Sequence, residues 1–403
     1  MTLKIGIYSG EWHPGSGGGF TFQLELINEI TKAKSPHEIF IIGSRNGVLS
    51  TGEARYVNLA DYRENLLRRI IKKASNIVMP KSYGTDFFEN GALERAVKKN
   101  NIELVWFITP VVGKVTVPYI VTVWDLAHRV HPYFPEVSVT GWSWDNRENH
   151  YRALLPRAAC IITGTQAGKE EIIKYYQVPD HLVKVAPFPT PSFVLHPCVS
   201  SAVNKDLTLP ERYLLYPAQF WPHKNHVGLL LAMKILSDKY GMDLKLVLTG
   251  ADRGNLGYVR GKIRELKIDD QVMILGFVDK DVMVGLYRNA FALVFPTFFG
   301  PDNLPPLEAF ALGCPVVASE VSGAQEQLGD AALLFDPKNP EDIAHKIKIL
   351  YDDQEKRKDM IRKGRLKAES WTIHNYVNQV LTFVDEFEPV RRCWSPDKIY
   401  IHQ

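Results

Sequence analysis

A glutamate near the start of a short, proline-containing helix is the first residue whose position suggests chemistry. Residues 300–313 read GPDNLPPLEAFALG. Pro305 and Pro306 suit a helix entry, where a missing N–H group costs little, and Gly313 can end the helix. The pattern predicts that Glu308 lies in the first turn, beside backbone N–H groups that attract anions. Either Glu308 only stabilises the helix dipole, by about 0.3–1 kcal/mol, or this helix start binds a phosphate while the carboxylate holds a ribose diol.

A glycine-rich loop follows the first predicted strand. Gly18 and Gly19 have no Cβ atoms, so a phosphate or a sugar could approach their backbone closely. The loop is not the G-x-G-x-x-G dinucleotide motif, because a motif that begins at Gly15 requires glycine where Phe20 stands. No acidic residue ends the second predicted strand either. The loop is therefore a candidate binding element or a flexible turn, and NAD binding is disfavoured.

Two more polar residues follow the strand pattern YIVTVW. Asp125 could orient an acceptor hydroxyl or the sugar of a donor, and His128 could hydrogen-bond a sugar hydroxyl or a phosphate. A helix cap would also explain Asp125, and a surface position would also explain His128. The histidines and acids lack metal-ligand spacing, and no Asp-x-Asp motif is present. We therefore expect no bound metal.

The elements that position these residues alternate in type along the chain. Apolar strand-like runs alternate with helical patterns in two stretches, which predicts an α/β protein with parallel sheets. We predict two Rossmann-like domains that face each other across an interdomain cleft, with ligands beyond the carboxyl ends of the strands. The predicted boundaries are 1–195 for the first domain, 196–210 for a linker, 211–372 for the second domain, and 373–403 for a helix and tail that pack back on the first domain.

Composition excludes several other classes of protein. The 403 residues carry a net charge of only +3, which gives no basic surplus for nucleic acid. The four cysteines are far apart and form no CxxC pair, which is typical of a reducing compartment. No apolar run reaches the roughly 18 residues that span a membrane, and the N-terminus does not resemble a signal peptide. We expect a cytoplasmic protein.

One segment is compatible with peripheral membrane contact. Residues 63–76, RENLLRRIIKKASN, combine leucine and isoleucine with basic side chains. Such a helix could lie on an anionic membrane, where lipid-linked acceptors are found. A solvated surface helix is the alternative interpretation.

The order of several motifs resembles a known family. Residues 291–319, FALVFPTFFGPDNLPPLEAFALGCPVVAS, resemble the signature of retaining glycosyltransferases of family 4, which have the GT-B fold. The segment just upstream, LGFVDKDVMVGLYRNA, is also similar to that family. So are LLYPAQFWPHKNH at 214–226 and VTVWDLAHRVHPYFPE at 121–136. The resemblance extends over nearly the whole chain and is weakest from about 45 to 100 and after 388.

The resemblance implies roles for particular residues. The first domain would bind the acceptor and the second the nucleotide-sugar donor, with Lys224 as the cation that faces the diphosphate. The catalytic set would be Asp125, His128 and Lys224. The donor-binding set, with the glycine loop included, would be Gly18, Gly19, Gln219, Lys224, Asn225, Phe277, Val278, Asp302, Asn303, Leu304 and Glu308.

The chain departs from the family pattern at three positions. The family has a glutamate eight residues before the second one, but Gly300 stands there, so Asp302 or loop amides would have to replace it. Gln219 replaces the usual arginine, which leaves His223, Arg253 or backbone amides to compensate. Trp124 replaces the commonest histidine before Asp125.

The resemblance implies a retaining, metal-independent glycosyltransferase without a separate cofactor. It would move a sugar from a UDP- or GDP-linked donor to a glycan or lipid-linked acceptor, in surface polysaccharide or lipopolysaccharide biosynthesis. Two alternatives remain: a non-catalytic subunit that binds a nucleotide sugar, and an NAD-dependent epimerase or oxidoreductase.

Overall fold

The structure is a computed structural model, and it describes residues 2–10, 18–43, 55–63, 91–139, 143–197 and 208–394. The basic segment predicted to contact a membrane lies almost wholly outside the described residues. Most of the predicted linker and the end of the C-terminal tail also lie outside them. Among the described helices, none has both the length and the apolar character needed to cross a bilayer.

Seven parallel strands form the N-terminal sheet, in the order β3-β2-β1-β4-β5-β6-β7. Most of their residues are buried, as expected for apolar strands that are covered on both faces. The strands are β1 Lys4–Tyr8, β2 Glu38–Gly43, β3 Arg55–Asn58, β4 Leu104–Phe107, β5 Tyr119–Thr122, β6 Cys160–Thr163 and β7 Val183–Val185. The helices are α1 Gly18–Ile30, α2 Gly91–Lys99, α3 Ala127–Val130, α4 Pro135–Ser138, α5 Trp144–Leu154, α6 Gln166–Tyr176 and α7 Ser192–Leu195.

Six parallel strands form the C-terminal sheet, in the order β10-β9-β8-β11-β12-β13. The strands are β8 Tyr213–Pro217, β9 Lys245–Thr249, β10 Val272–Gly276, β11 Ala292–Phe295, β12 Val316–Ser319 and β13 Ala332–Phe335. The helices are α8 His226–Tyr240, α9 Leu256–Leu266, α10 Lys280–Asn289, α11 Leu304–Ala311, α12 Ala324–Leu328, α13 Pro340–Asp352, α14 Gln354–Ser370 and α15 Ile373–Arg391.

In both sheets the strand order changes direction beside the first strand of the domain. The reversal falls between β1 and β4 in one sheet and between β8 and β11 in the other. Loops diverge at such a point and leave a crevice at the carboxyl ends of the strands, where ligands bind in this class of sheet. The predicted fold class, two Rossmann-like domains that face each other, is confirmed.

The chain crosses between the two domains at two adjacent places. The backbone N–H of Thr190 donates to the carbonyl of Trp371 at 3.1 Å, which joins the outgoing and returning segments. Val194 packs in the C-terminal core, although the sequence assigns it to the first domain. Helix α15 returns to the N-terminal domain, where Ile373 and Val380 share a core with β1 and α1.

Candidate functional site

A cleft of about 550 Å³ lies between the two domains. This volume falls in the range of roughly 300–1,000 Å³ that is typical of small-molecule sites. Both domains contribute to its walls. The sequence-predicted residues that line it are Gly18, Gly19, Asp125, Gln219, Lys224, Phe277, Val278, Asp302, Asn303, Leu304 and Glu308. Of the predicted site residues, His128 and Asn225 are not part of the wall.

Lys224 is held at the end of a short 3-10 turn, Pro222–Lys224, that follows β8. The hydroxyl of Tyr216 donates to its carbonyl at 2.7 Å, and its ammonium lies 5.3 Å from the ring centre of Phe295. Burial lowers the pKa of Lys224 to about 8, while the charges of Asp125 and Glu136 oppose that shift. The ammonium is therefore protonated at neutral pH but desolvated, which favours an anionic ligand.

Glu308 lies one turn deeper in its helix than the sequence predicts. Helix α11 begins at Leu304, so no acidic residue lies in its first turn, and the prediction of a first-turn position was wrong. The carboxylate accepts a hydrogen bond from the Tyr287 hydroxyl at 2.7 Å. Burial raises the pKa of Glu308 to about 7, against the lowering effect of Tyr287. A partly buried carboxylate with spare acceptor capacity suits a ligand that carries hydroxyl donors.

Two helices begin at the cleft from opposite sides. Helix α1 begins at Gly18 and helix α11 at Leu304. A Cβ atom added to Gly18 would lie only 3.1 Å from Leu304 Cδ1, so the two helix starts approach closely. The positive ends of both helix dipoles favour an anion there, and at the start of α11 the backbone donor is the Leu304 N–H, because Pro305 and Pro306 have none.

Asp125 lines the cleft and also bonds to the first residue of α3, whose N-cap residue is Leu126. Its Oδ1 accepts from the Ala127 N–H at 2.9 Å and from Arg147 Nη1 at 3.4 Å. Arg147 itself lines the cleft, from helix α5. Sequence reasoning missed this arginine, because nothing in DNRENH marks which face of α5 turns to the cleft.

A second acid of the first domain reaches across the cleft. Glu136, in the short helix α4, accepts hydrogen bonds from the backbone N–H of His223 at 2.8 Å and from His223 Nδ1. Burial lowers the pKa of His223 to about 4, so the imidazole is neutral and donates to an ionised carboxylate. The His223 ring stacks on Phe299 with centroids 4.1 Å apart. This contact fixes the residue before Lys224, and the sequence did not predict Glu136 as part of the site.

The residue in place of the family's arginine takes part in a local network. Gln219 Oε1 accepts from Trp221 Nε1 at 3.0 Å and from Arg253 Nε at 3.3 Å. Arg253 thus lies beside the cleft wall. The sequence analysis named it as one residue that could compensate for the arginine that Gln219 replaces. Phe277 is 63% exposed and lines the cleft with Val278, which provides a flat apolar surface suited to a nucleobase.

His128 belongs to the core of the first domain and not to the cleft wall. Its side chain has no exposed surface, and Nε2 lies 3.1 Å from the Tyr176 hydroxyl. The ring stacks on Tyr151 with centroids 5.7 Å apart. Burial lowers its pKa to about 4. The one-turn helix α3 points this side chain inwards, so the prediction of a catalytic His128 was wrong.

Asn225 has a structural role instead of a contact with the cleft. Its backbone is left-handed, with φ at 54°. The amide Nδ2 donates to the carbonyls of Pro296 and Pro337 at 3.0 and 2.8 Å, and Oδ1 accepts from the Gly228 N–H at 3.1 Å to cap α8. With these bonds made, the amide holds three loops together and orients the turn that carries Lys224.

Asp302 lines the cleft, but its carboxylate is used between the domains. One oxygen accepts from the Phe188 N–H at 2.5 Å, and the other accepts from the Gln327 amide. Burial raises its pKa to about 7. Each oxygen of the Asp302 carboxylate therefore has a protein partner.

A further carboxylate crosses between the domains near Asp302. Glu326 of α12 accepts from the backbone N–H groups of Gln166 and Ala167 at 2.6 and 2.9 Å, which are the first groups of α6. The Ser322 hydroxyl donates to Glu171 at 2.9 Å beside it. These contacts hold the two walls of the cleft close together.

No cluster of three or more metal-ligating side chains occurs within the described ranges.

Comparison with known proteins gives a family match over part of the chain and a similar fold over nearly all of it. Residues 203–367 match the family model of glycosyl transferases group 1. The O-antigen chain mannosyltransferase B of Escherichia coli is 29% identical over 231 residues, or 56% of this chain. The chain spans 60% of that relative's length.

Two solved structures are similar along almost their full length. Sucrose-phosphate synthase from Thermosynechococcus elongatus has a TM-score of 0.73 at 17% identity, covering 96% of this chain and 100% of that chain. WaaG, a glycosyltransferase involved in lipopolysaccharide biosynthesis, has a TM-score of 0.67 at 14% identity, covering 94% of this chain and 99% of that chain. Identities this low establish the fold alone. The family match covers residues 203–367, and the fold is shared with these structures over nearly the whole chain.

Proposed function

We propose that this protein is a retaining glycosyltransferase that takes a sugar from a nucleotide-diphosphate donor, linked to UDP or GDP. The observation that carries the proposal is the shared wall of the cleft, where Lys224, Glu308 and the start of α11 lie together. A desolvated cation and the positive end of the α11 dipole suit a diphosphate, and a carboxylate suits the ribose hydroxyls. Phe277 supplies an exposed aromatic surface for the base.

The chemistry follows from the charges that develop during transfer. The bond between the anomeric carbon and the diphosphate oxygen breaks, and negative charge grows on the diphosphate. The oxygen of the acceptor hydroxyl bonds to the anomeric carbon, and its proton passes to the departing diphosphate. Lys224 and the start of α11 stabilise the leaving diphosphate. Asp125, on the opposite wall, orients the acceptor hydroxyl. Retention of configuration, and transfer without a bound metal, are proposed from the family resemblance.

The acceptor is proposed to be a glycan or a lipid-linked saccharide. Support comes from the E. coli relative, which is an O-antigen chain mannosyltransferase, and from the fold shared with WaaG. We propose a cytoplasmic location, with peripheral contact at the membrane where such acceptors are assembled.

Thermal-shift measurements with UDP, GDP, ADP and their sugars test the donor site. A ligand at 100 times its dissociation constant stabilises the protein by about 2.7 kcal/mol. We expect Lys224→Ala and Glu308→Ala to lose this stabilisation. Lys234→Ala is the matched control, because Lys234 pairs with Asp238 on the surface of α8. Absence of stabilisation by every nucleotide, or equal stabilisation in all variants, would contradict the proposal.

A second candidate function is nucleotide-sugar binding without transfer. Gln219 and Gly300 favour it, because they stand where the family signature has an arginine and a glutamate. Incubation with a radiolabelled donor separates the two functions, since an enzyme releases free sugar slowly even without acceptor. Release that disappears in Lys224→Ala supports transfer, whereas tight binding with no release supports a binding subunit. A fluorescence titration with NADH tests the remaining alternative, an NAD-dependent epimerase or oxidoreductase.

A further inference from the structure

We infer that Glu136, a residue of the first domain, is a positioning residue for Lys224, the lysine of the second domain that faces the diphosphate. This inference rests on the proposed function and goes beyond it, because it makes nucleotide binding by one domain depend on a side chain of the other. It arises from the turn Pro222–Lys224, whose backbone hydrogen bonds are completed from across the cleft.

The turn that carries Lys224 does not satisfy all of its own N–H groups. Its N-cap residue, Trp221, makes no side-chain cap, and Pro222 has no N–H. The N–H of Lys224 is used locally, since it donates to the Trp221 carbonyl at 3.1 Å. The N–H of His223 donates instead to Glu136 Oε1 at 2.8 Å. A side chain of the other domain therefore completes the turn.

His223 passes this contact on to Lys224, because it is held at its backbone and at its ring. Its Nδ1 also donates to Glu136 Oε1. Its carbonyl accepts from the Phe298 N–H at 2.9 Å, and its ring stacks on Phe299 with the two planes 14° apart. The peptide bond that joins His223 to Lys224 is planar. A fixed His223 therefore limits the directions in which the Lys224 side chain leaves the backbone.

A contact that served stability alone would not need the charge of Glu136. The side chain is only 6% exposed, and Oε2 has no hydrogen-bond partner among the described residues. Burial of a carboxylate oxygen without a partner costs free energy. An acid in the first turn of α4 also stabilises the dipole of that helix. This local role does not explain why the carboxylate bonds to a residue of the other domain.

The charge of Glu136 acts on the ammonium that the residue positions. Burial lowers the pKa of Lys224 to about 8, and Asp125 and Glu136 both oppose that shift. The rings of His223 and His226 also lie beside Lys224, and burial lowers their pKa values to about 4 and about 3, so both are neutral. Without the charge of Glu136, Lys224 should therefore lose its proton at a lower pH.

Two substitutions separate the position of the turn from the charge. Glu136→Gln removes the charge but keeps an oxygen that can accept from His223, whereas Glu136→Ala removes both. Calorimetric titrations with UDP and with GDP compare the two variants. Ordering the backbone of one residue on binding corresponds to about a five- to thirtyfold change in affinity. We expect Glu136→Ala to bind the nucleoside diphosphate more weakly than Glu136→Gln by this factor.

The pH profile measures a property that a merely structural residue would not change. Titrations run from about pH 7 to about pH 10, across the range in which Lys224 loses its proton. We expect the affinity of the wild-type protein to fall around the pKa of Lys224, and that of Glu136→Gln to fall at a lower pH. Glu265→Gln is the matched control, because Glu265 pairs with Lys262 on the surface of α9, and its profile should coincide with the wild-type profile.

The outcomes distinguish this inference from the proposed function. Equal affinities of Glu136→Ala and Glu136→Gln would overturn the positioning role. A pH profile of Glu136→Gln that coincides with the wild-type profile would overturn the action of its charge on Lys224. In both cases, binding of UDP or GDP by the wild-type protein leaves the proposed donor site intact. A wild-type protein that binds neither nucleotide would overturn the proposed function and this inference with it.

Discussion

Glu308→Gln isolates the charge that the cleft offers to the nucleoside. The substitution keeps the shape of the side chain and an oxygen that can accept the hydrogen bond of Tyr287, which is 2.7 Å long in the wild-type protein. It removes the negative charge. Hydrogen bonds to a charged group contribute about 1 kcal/mol more than neutral ones. Two ribose hydroxyls should therefore bind about 2 kcal/mol more weakly, which is about a thirtyfold loss of affinity.

The pH dependence gives a second and more specific signature. The pKa of Glu308 is raised to about 7, so the ionised form that accepts from both hydroxyls is present above that pH and is lost below it. From about pH 8 to about pH 6 the ionised fraction falls from about nine tenths to about one tenth. This fall weakens binding about tenfold, or about 1.4 kcal/mol. Glutamine does not titrate, so the variant should lack this component.

Isothermal titration calorimetry with a ribonucleoside diphosphate and its 2′,3′-dideoxy analogue measures both effects. Protonation of the ligand phosphates affects both proteins in the same way. The difference in affinity between the variant and the wild type therefore measures the contribution of Glu308. For the analogue, the wild type and the variant should bind alike. An identical pH profile in the two proteins, or a wild-type protein that does not distinguish the ligands, would refute a Glu308–ribose contact.

Three further outcomes follow from the same geometry. Lys224→Arg should retain its affinity for a nucleoside diphosphate at about pH 9. The wild-type protein should bind more weakly there, because its lysine, with a pKa of about 8, loses its proton; calorimetric titrations of both proteins at several pH values test this. Glu326→Ala removes two hydrogen bonds to the first N–H groups of α6 across the cleft, at a cost of about 1–3 kcal/mol, and should increase the radius of gyration of the free protein in X-ray scattering. Glu355→Ala, which removes only a surface pair with Lys358, should not. His128→Ala should destabilise the protein by about 2–5 kcal/mol in denaturant unfolding without a change in donor affinity, and a selective loss of affinity would restore its predicted role.

Much of the fold was predictable because its signals are local. Each buried parallel strand is a short apolar run, and the longer helices carry their own periodicity. The glycines and prolines mark the loops that follow the strands. These signals indicated two doubly wound sheets, and they placed Lys224 and Glu308 on loops or helices at the carboxyl ends of strands.

The direction of side chains within those loops was not predictable. Asp125 and His128 lie three residues apart in the sequence, yet one lines the cleft and the other is fully buried. Asp125 precedes α3 and His128 lies within it, so the way in which this single turn packs decides which side chain faces outwards. Asp302 carries the charge expected of a substitute acid, but distant partners already occupy its carboxylate.

The sequence by itself determined the classes of element, their order, and the presence of a cation and a carboxylate near strand ends. Only the tertiary structure decided that Arg147 and Glu136 join them, and that Tyr287 holds Glu308. The physical reason is that periodicity and capping act over a few residues. Partners that meet across a cleft are brought together by the packing of whole domains, which leaves no mark in the spacing of residues.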